Sequence, residues 1–225
     1  MDSLTLEKFP AELRGVAQWC LWKTVKRPSG DTKLPLQADG RTPASSTGPE
    51  TWATFEAVKA RVNGTLQPGF IFSNEDPYCG IDLDGCRDAA TGKVEEWGRQ
   101  LVQMIDSYTE VSPSGTGLKC FVKASISSDT GKKKELPYPK IGPKNPGIEI
   151  YDWGRFFAVT GQRVAGLPAT VEDRQEIVDE LVKIIWAPEP LPVAQREQSE
   201  SEIVERARKY VSRMPESVSG SRGHD

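Results

Sequence analysis

The sequence predicts a mixed α/β (α+β) protein, and three observations lead to this class. Short segments with alternating apolar residues recur along the chain, as in strands. Other segments carry apolar residues three and four positions apart, as in helices. With 37% hydrophobic and 27% charged residues among 225, the chain has the composition of an ordinary globular protein. That length allows one large domain or two small ones.

The predicted strands and helices alternate along the chain. Strands are expected at 16–25, 33–37, 69–73, 78–85, 108–113, 117–124, 147–153 and 155–161. Helices are expected at 51–62, about 94–107 and about 171–186, the last capped by Thr170. The segment 124–146 is rich in lysine and proline, so we expect a long loop there.

The domain prediction is one unit over 1–187, made of an N-terminal module (about 1–75) and a second module (76–187). The proline- and glutamine-rich segment 188–200 is expected to be a linker. Residues 201–225 are expected to hold a helix and the start of a truncated C-terminal region. The chain has no apolar run long enough for a membrane span and no signal peptide, so we expect a cytoplasmic protein without membrane contact.

The cysteine and histidine pattern argues against a zinc site. The four cysteines form no CxxC pair, and the single histidine is His224. We therefore expect reduced cysteines that lie in the core or in strands.

Two aspartates lie in the middle of an otherwise apolar predicted strand, YCGIDLDGC (78–86). Alternate residues of a strand share a face, so Asp82 and Asp84 point the same way, with Cα atoms about 6 to 7 Å apart. Without a cation, the two charges are expected to repel each other and to be costly beside apolar residues. This spacing suits one or two divalent ions, but a DxD pattern alone also fits an edge strand with solvated aspartates.

A third carboxylate favours the metal hypothesis. Glu149, in GIEIYDW, lies on another predicted strand and shares its face with Tyr151, whereas Asp152 falls on the other face. Three carboxylates on neighbouring strands would form an oxygen-rich site suited to Mg²⁺ or Mn²⁺.

The segment EVSPSGTGLKC (110–120) is a candidate anion-binding loop. Its serines, glycines and proline permit a tight turn that presents backbone N–H groups, and Lys119 adds a positive charge. A P-loop is excluded because GxxxxGK[ST] is not matched and a strand follows. The simpler alternative is an ordinary hairpin loop.

Positive charge is concentrated in one part of the chain. Between 112 and 163 nine cations face four acids, a local charge of +5 within a chain of net charge −3. An acidic protein with one basic face suits a polyanionic ligand. The lysines at 132–134, taken alone, also fit a solvated loop tip.

The ordered set of these motifs resembles the primase-polymerase branch of the archaeo-eukaryotic primase superfamily, of phage and plasmid type. The resemblance extends to about residue 187 and rests on QWCLWK, KLPL, ASSTGPETWATFEAV, GIDLDGC, YTEVSPSGTGLKCFV and IEIYDWGRFFAVTG. It implies a fold with an RRM-like sheet that carries the acids, beside a smaller N-terminal α/β module.

The resemblance also implies residue roles. Asp82, Asp84 and Glu149 would be the catalytic residues and would hold two divalent ions, Mg²⁺ or Mn²⁺. The nucleotide-binding set would be Ser112, Ser114, Gly115, Thr116, Gly117, Lys119 and Arg155. From the charge pattern of 131–144, we expect the template phosphates to be bound, without reading of sequence, by Lys132, Lys133, Lys134, Lys140 and Lys144. Lys119 stands where this superfamily usually has histidine, and lysine cannot switch its protonation near neutral pH.

The implied function is synthesis and extension of primers on single-stranded DNA during phage or plasmid replication, with nucleoside triphosphates as substrates. The expected chemistry is in-line attack of the primer 3′-hydroxyl on the α-phosphate. A helicase-like region downstream in a longer chain is an expected partner. Two alternatives stay open at this point, a metal-dependent phosphohydrolase or nuclease and a non-catalytic module that binds single-stranded DNA.

Overall fold

The computed structural model describes residues 6–28, 30–126 and 131–186. Ten strands and four α-helices lie within these ranges. The strands are β1 (Trp19–Val25), β2 (Thr32–Leu36), β3 (Gln67–Ile71), β4 (Tyr78–Asp84), β5 (Thr109–Val111), β6 (Leu118–Lys123), β7 (Lys132–Glu135), β8 (Gly147–Tyr151), β9 (Phe156–Ala158) and β10 (Glu172–Asp173). The helices are α1 (Ala11–Arg14), α2 (Phe55–Lys59), α3 (Glu96–Ile105) and α4 (Gln175–Ile185).

The strands form two sheets, which confirms the mixed α+β class. Sheet 1 has the order β2-β1-β3-β9, and all its pairs are antiparallel. Sheet 2 has the order β10-β6-β4-β8-β7, with β5 also paired to β6. Only the short β10–β6 pair is parallel among the described strands. Sheet 1 includes β9, which comes from late in the chain. The division into modules 1–75 and 76–187 stays a prediction.

Sheet 2 has two different faces, because its strands alternate. On one face Ile81, Leu83, Cys120 and Ile150 pack in a cluster with residues of α3 and α4. At one end of the other face lies an aromatic core. There, Tyr78, Phe121 and Tyr151 of sheet 2 pack in one cluster with Phe70 and Phe157 of sheet 1 and with Phe72, which follows β3. All four cysteines are buried and free.

The aromatic core ends where the charged residues begin. Gly80 lies two residues before Asp82 on the same face, and a Cβ atom there would lie 2.6 Å from the Phe157 ring. Glycine therefore lets the sheet 1 aromatic residues approach β4 closely. Beyond Gly80, the same face of β4 carries Asp82 and Asp84, both partly exposed. Apolar Ile81 and Leu83 are buried on the other face, as the alternation predicts.

Several predicted boundaries differ from the structure. The predicted loop 124–146 contains strand β7, which pairs with β8 at the edge of sheet 2. Its sequence, KKKE, has no apolar alternation and so gave no sign of a strand. It can still form one, because lysines are tolerated on an edge strand. Helix α4 begins at Gln175 and not at 171, so Thr170 is not its cap. The predicted linker (188–200) and the helix expected within 201–225 lie outside the described residues.

Candidate active site

Four charged residues lie side by side on one face of sheet 2. The strand register places Lys119 of β6 opposite Asp82 of β4, Asp82 opposite Glu149 of β8, and Glu149 opposite Lys133 of β7. Side chains directly opposite each other in antiparallel strands have Cβ atoms about 4.5 to 5.5 Å apart. The structure therefore brings Asp82 and Glu149 side by side, with Lys119 beside Asp82 and Lys133 beside Glu149. Glu110 of β5 continues the row beyond Lys119.

The pair formed by Asp82 and Lys119 is the most deeply buried part of this row. The Lys119 ammonium donates to Asp82 Oδ2, and the two side chains are only 6% and 17% exposed. Lys119 Nζ also lies 4.1 Å from the centre of the Phe157 ring, a cation–π contact. Burial raises the pKa of the Asp82 carboxyl, against the lowering effect of Lys119.

One oxygen of Asp82 has no partner. Oδ1 is buried and makes no hydrogen bond, although Oδ2 is paired. A buried carboxylate oxygen without a donor is costly unless something else satisfies it. Together with the hard oxygen ligands on Asp84 and Glu149, this open acceptor fits a divalent cation.

The other two carboxylates also have lysine partners. Lys133 donates to Glu149 Oε1, and the Tyr151 hydroxyl donates to Glu149 Oε2 at 2.8 Å. Burial would raise the pKa of Glu149, but these hydrogen bonds hold it below its usual value. Lys144 Nζ lies 3.1 Å from Asp84 Oδ2. Each of the three carboxylates therefore has its own ammonium group, which supplies the neutralising charge that the aspartates were expected to need.

The carboxylates of Asp82, Asp84 and Glu149 do not converge on one point. Within 6–28, 30–126 and 131–186, no group of three or more His, Cys, Asp or Glu side chains is arranged to hold one metal ion. Any cation bound by Asp82, Asp84 and Glu149 would have to replace at least part of the lysine charge.

The predicted anion-binding loop joins β5 to β6 and is internally hydrogen-bonded. The hydroxyls of Ser112, Ser114 and Thr116 form a chain with O···O distances of 3.1 and 2.8 Å. Gly115 has φ of +73°, which favours glycine, and its carbonyl accepts from Arg87 at 2.7 Å. A Cβ atom at Gly117 would lie 2.5 Å from the carbonyl oxygen of Leu83, so the loop packs against the end of β4 beside Asp84.

A lysine-rich pocket lies at this same end of the sheet. Its volume is about 320 Å³, and Asp84 and Glu149 line it together with Lys133, Lys140 and Lys144. The structure thus places Lys140 and Lys144 beside the carboxylates.

The lysines predicted as one loop tip point in two directions. Lys133 shares the face of Glu149, to which it is hydrogen-bonded. Its neighbour Lys134 instead donates to the Ile185 carbonyl at the end of α4, at 2.5 Å. Lys132 lines a pocket with Asp179 and Lys183, on the α4 side as well. Because β7 is a strand, its residues alternate, and only Lys133 of the three lies in the charged row.

Arg155 lies on the other side of Glu149. Its guanidinium carbon is 5.1 Å from the centre of the Tyr151 ring. It lines a second pocket, of about 390 Å³, with Lys133, Tyr151 and Trp153. Asp84 and Lys144 line only the first of these two pockets, whereas Arg155 lines only the second. Of the predicted nucleotide-binding residues, Arg155 alone lines either of these two pockets.

Two charged residues near the row were missed by sequence reasoning. Glu110 of β5 lies opposite Lys119 and is fully buried. Its carboxylate accepts from the N–H groups of Thr160 (2.8 Å) and Gly161 (2.9 Å), and burial raises its pKa to about 7. The sequence signal that could have identified it is a glutamate in the middle of the short predicted strand that contains TEV.

The second missed residue is Lys33 of β2. The residue is exposed on β2, but desolvation of its ammonium and the nearby charge of Lys119 lower its pKa to about 8, and Asp82 is close enough to act in the opposite direction. The Lys33 ammonium also lies 5.3 Å from the centre of the Trp22 ring. Nothing in the sequence alone placed β2 near β4.

Among the described residues, no helix has the length and apolar character to cross a membrane.

No family model matches the chain. The chain is 34% identical over 148 residues to a DNA primase-polymerase of Nitratiruptor phage NrS-1. The matched region covers 65% of this chain and 19% of the phage protein, so the chain spans about a fifth of that relative's length. This similarity supports the assignment of the chain to the primase-polymerase type, in agreement with the family resemblance carried by its sequence motifs.

Proposed function

We propose that this chain carries the nucleotidyl-transfer site of a DNA primase-polymerase, which makes and extends primers on single-stranded DNA. The observation that carries the proposal is the side-by-side placement of Asp82 and Glu149 on one face of sheet 2, with Asp84 two residues further along β4 on the same face. The buried, unpartnered Asp82 Oδ1 adds an open ligand position. The similarity to the phage primase-polymerase supports the same reaction class.

The proposed cofactor is Mg²⁺ or Mn²⁺, held by Asp82, Asp84 and Glu149. Two such ions would lower the pKa of a primer 3′-hydroxyl and neutralise the departing pyrophosphate. The bond that forms joins the 3′-oxygen to the α-phosphorus, and the bond that breaks joins the α-phosphorus to the bridging oxygen of the β-phosphate.

The protein's own cations would bind the triphosphate. Lys133, Lys140 and Lys144 line the pocket beside Asp84, and the Ser112–Gly117 loop packs against the same end of β4. When a triphosphate enters, Lys133 and Lys144 can exchange a carboxylate for a phosphate without leaving the pocket. Lys119 differs because it is buried against Phe157, so its charge would mainly hold Asp82 in place.

The remaining predicted partners belong to this proposal. Single-stranded DNA and nucleoside triphosphates are the proposed substrates. A helicase-like region downstream in a longer chain and a cytoplasmic location stay predictions.

Primer extension tests the proposal. A labelled primer on a longer template is incubated with the protein, with Mg²⁺ or Mn²⁺, and with deoxy- or ribonucleotides, and an unprimed template tests priming. We expect a product that lengthens only when nucleotides complementary to the template are present. Shortening of the primer without nucleotides would indicate the nuclease alternative. Binding of DNA without any incorporation would indicate the non-catalytic alternative.

A further inference from the structure

An exposed tryptophan lies just beyond the charged row. Trp153 follows β8 and is 40% exposed, whereas Tyr151, two residues earlier, is buried. Large aromatic side chains usually bury most of their surface, so an exposed tryptophan beside a polar site is unusual. Trp153 lines the pocket of about 390 Å³ together with Thr47, Lys133, Tyr151 and Arg155.

The turn that carries Trp153 is anchored on both sides. The Ser46 hydroxyl donates to the Gly154 carbonyl at 2.9 Å, and Asp152 Oδ2 accepts from the Ile126 N–H at 2.8 Å. Gly154 has φ of +68°, a value that glycine adopts without strain and that sets the direction of the turn. Trp153 is therefore presented by a fixed backbone, which reduces the entropy lost when a ligand binds.

The pocket combines this aromatic surface with a small number of cations. Arg155 lies over the Tyr151 ring, and Lys133 is already paired with Glu149. Among the described residues Arg155 has no carboxylate partner, and the charge of Lys133 is partly neutralised by Glu149. This amount of positive charge suits a backbone phosphate, which carries a single negative charge. A triphosphate carries more charge and is better matched by the lysine-rich pocket beside Asp84.

We propose that the Trp153 pocket binds one nucleotide unit of single-stranded DNA, with a base stacked on Trp153 and a phosphate held by Arg155. Stacking on an aromatic side chain tolerates every base, because each base has a π face. This inference rests on the proposed function, which assigns the triphosphate to the pocket beside Asp84. The DNA strand would then reach Glu149 from the opposite side, where Trp153 lies. It adds a strand-binding residue that the charged row alone does not provide.

DNA binding by variants tests this site directly. Anisotropy of a labelled oligothymidylate, measured without metal or nucleotide, gives the affinity of wild type, Trp153→Ala and Trp153→Phe. Loss of one stacked base corresponds to roughly 5- to 150-fold weaker binding for Trp153→Ala. Trp153→Phe should retain most of the affinity. The matched control is Tyr138→Ala, which removes an aromatic side chain that is 46% exposed in another pocket, beside Trp97.

Tryptophan fluorescence distinguishes the strand from a free nucleotide. The difference in emission between wild type and Trp153→Phe reports on Trp153 alone. We expect this difference signal to be quenched by oligothymidylate and to be unaffected by a nucleoside triphosphate without DNA. Thermal melting of each variant shows whether it is folded, and Trp153→Phe keeps the test valid if Trp153→Ala does not fold.

The outcomes separate this inference from the catalytic proposal. Trp153-dependent DNA binding without nucleotide incorporation would leave the strand site standing and refute only the catalytic proposal. Normal DNA binding by a folded Trp153→Ala protein would refute the strand site, whatever the incorporation assay shows. Quenching by triphosphate alone would also overturn it and would assign the pocket to the incoming nucleotide.

Discussion

The buried pair of Asp82 and Lys119 gives the sharpest stability prediction. Lys119→Ala would leave the Asp82 carboxylate without a counter-charge on a largely buried face. Breaking a buried ion pair by removing one partner typically costs about 3 to 5 kcal/mol in the free energy of unfolding. Because both side chains are well under one-third exposed, solvent screening does not reduce this estimate appreciably.

The other two lysines of the site are matched controls. Lys133 is 65% exposed and Lys144 is 53% exposed in their pairs with Glu149 and Asp84. Exposed ion pairs contribute only about 0 to 1 kcal/mol. The same substitution to alanine should therefore cost several times more at Lys119 than at Lys133 or Lys144. Burial and not charge is the difference between them.

Urea denaturation at pH 7 without divalent ions measures these differences. The cost of Lys119→Ala should shrink when Mn²⁺ is added, since Asp82 gains another cation. It should also shrink at lower pH, because burial already raises the pKa of Asp82 and its neutral form needs no partner. The double variant Asp82→Asn with Lys119→Met should recover most of the loss. If Lys119→Ala costs no more than Lys144→Ala, the buried pair does not exist as described.

Three further predictions concern substrate binding and pH. In steady-state kinetics, Lys144→Ala should lower kcat/KM for nucleotide roughly 10- to 150-fold, which corresponds to the loss of one charge-assisted hydrogen bond of about 1.5 to 3 kcal/mol. Arg155→Ala should reduce the log–log salt slope of single-stranded DNA binding by about 0.7, and an unchanged slope would remove Arg155 from the DNA contacts. Burial raises the pKa of Glu110 from 4.5 to about 7, so the folded state keeps this proton to higher pH than the unfolded state does. The free energy of unfolding should therefore fall by about 2.5 kcal/mol as pH rises from 5 to 8. Glu110→Gln should flatten this dependence in urea melts at the two pH values.

Alternation within single strands could be predicted from the sequence. Ile81 and Leu83 are buried and Asp82 and Asp84 face the other side, as a period of two requires. The same argument placed Glu149 and Tyr151 on one face, and the Tyr151 hydroxyl indeed contacts Glu149. These patterns are local, so the sequence carries them without knowledge of the fold.

Contacts between strands could not be predicted in the same way. The pairing of Asp82 with Lys119 depends on the register of β4 and β6, and the pairing of Glu149 with Lys133 depends on strand β7. The KKKE segment has no apolar pattern, and its pairing comes from backbone hydrogen bonds to β8. A lysine partner for each carboxylate is therefore a tertiary property, which the sequence order does not reveal.

The central claim is that Asp82, Asp84 and Glu149 form the nucleotidyl-transfer site. The most direct measurement is incorporation of a complementary nucleotide into a primed template by wild type, Asp82→Asn, Asp84→Asn and Glu149→Gln. Asp152→Asn is the matched control, because Asp152 lies three residues from Glu149 and its carboxylate instead accepts from the Ile126 N–H. We expect the three site variants to fold and to lose incorporation, with Asp152→Asn within twofold of wild type. Incorporation at a wild-type rate by any folded site variant would contradict the claim.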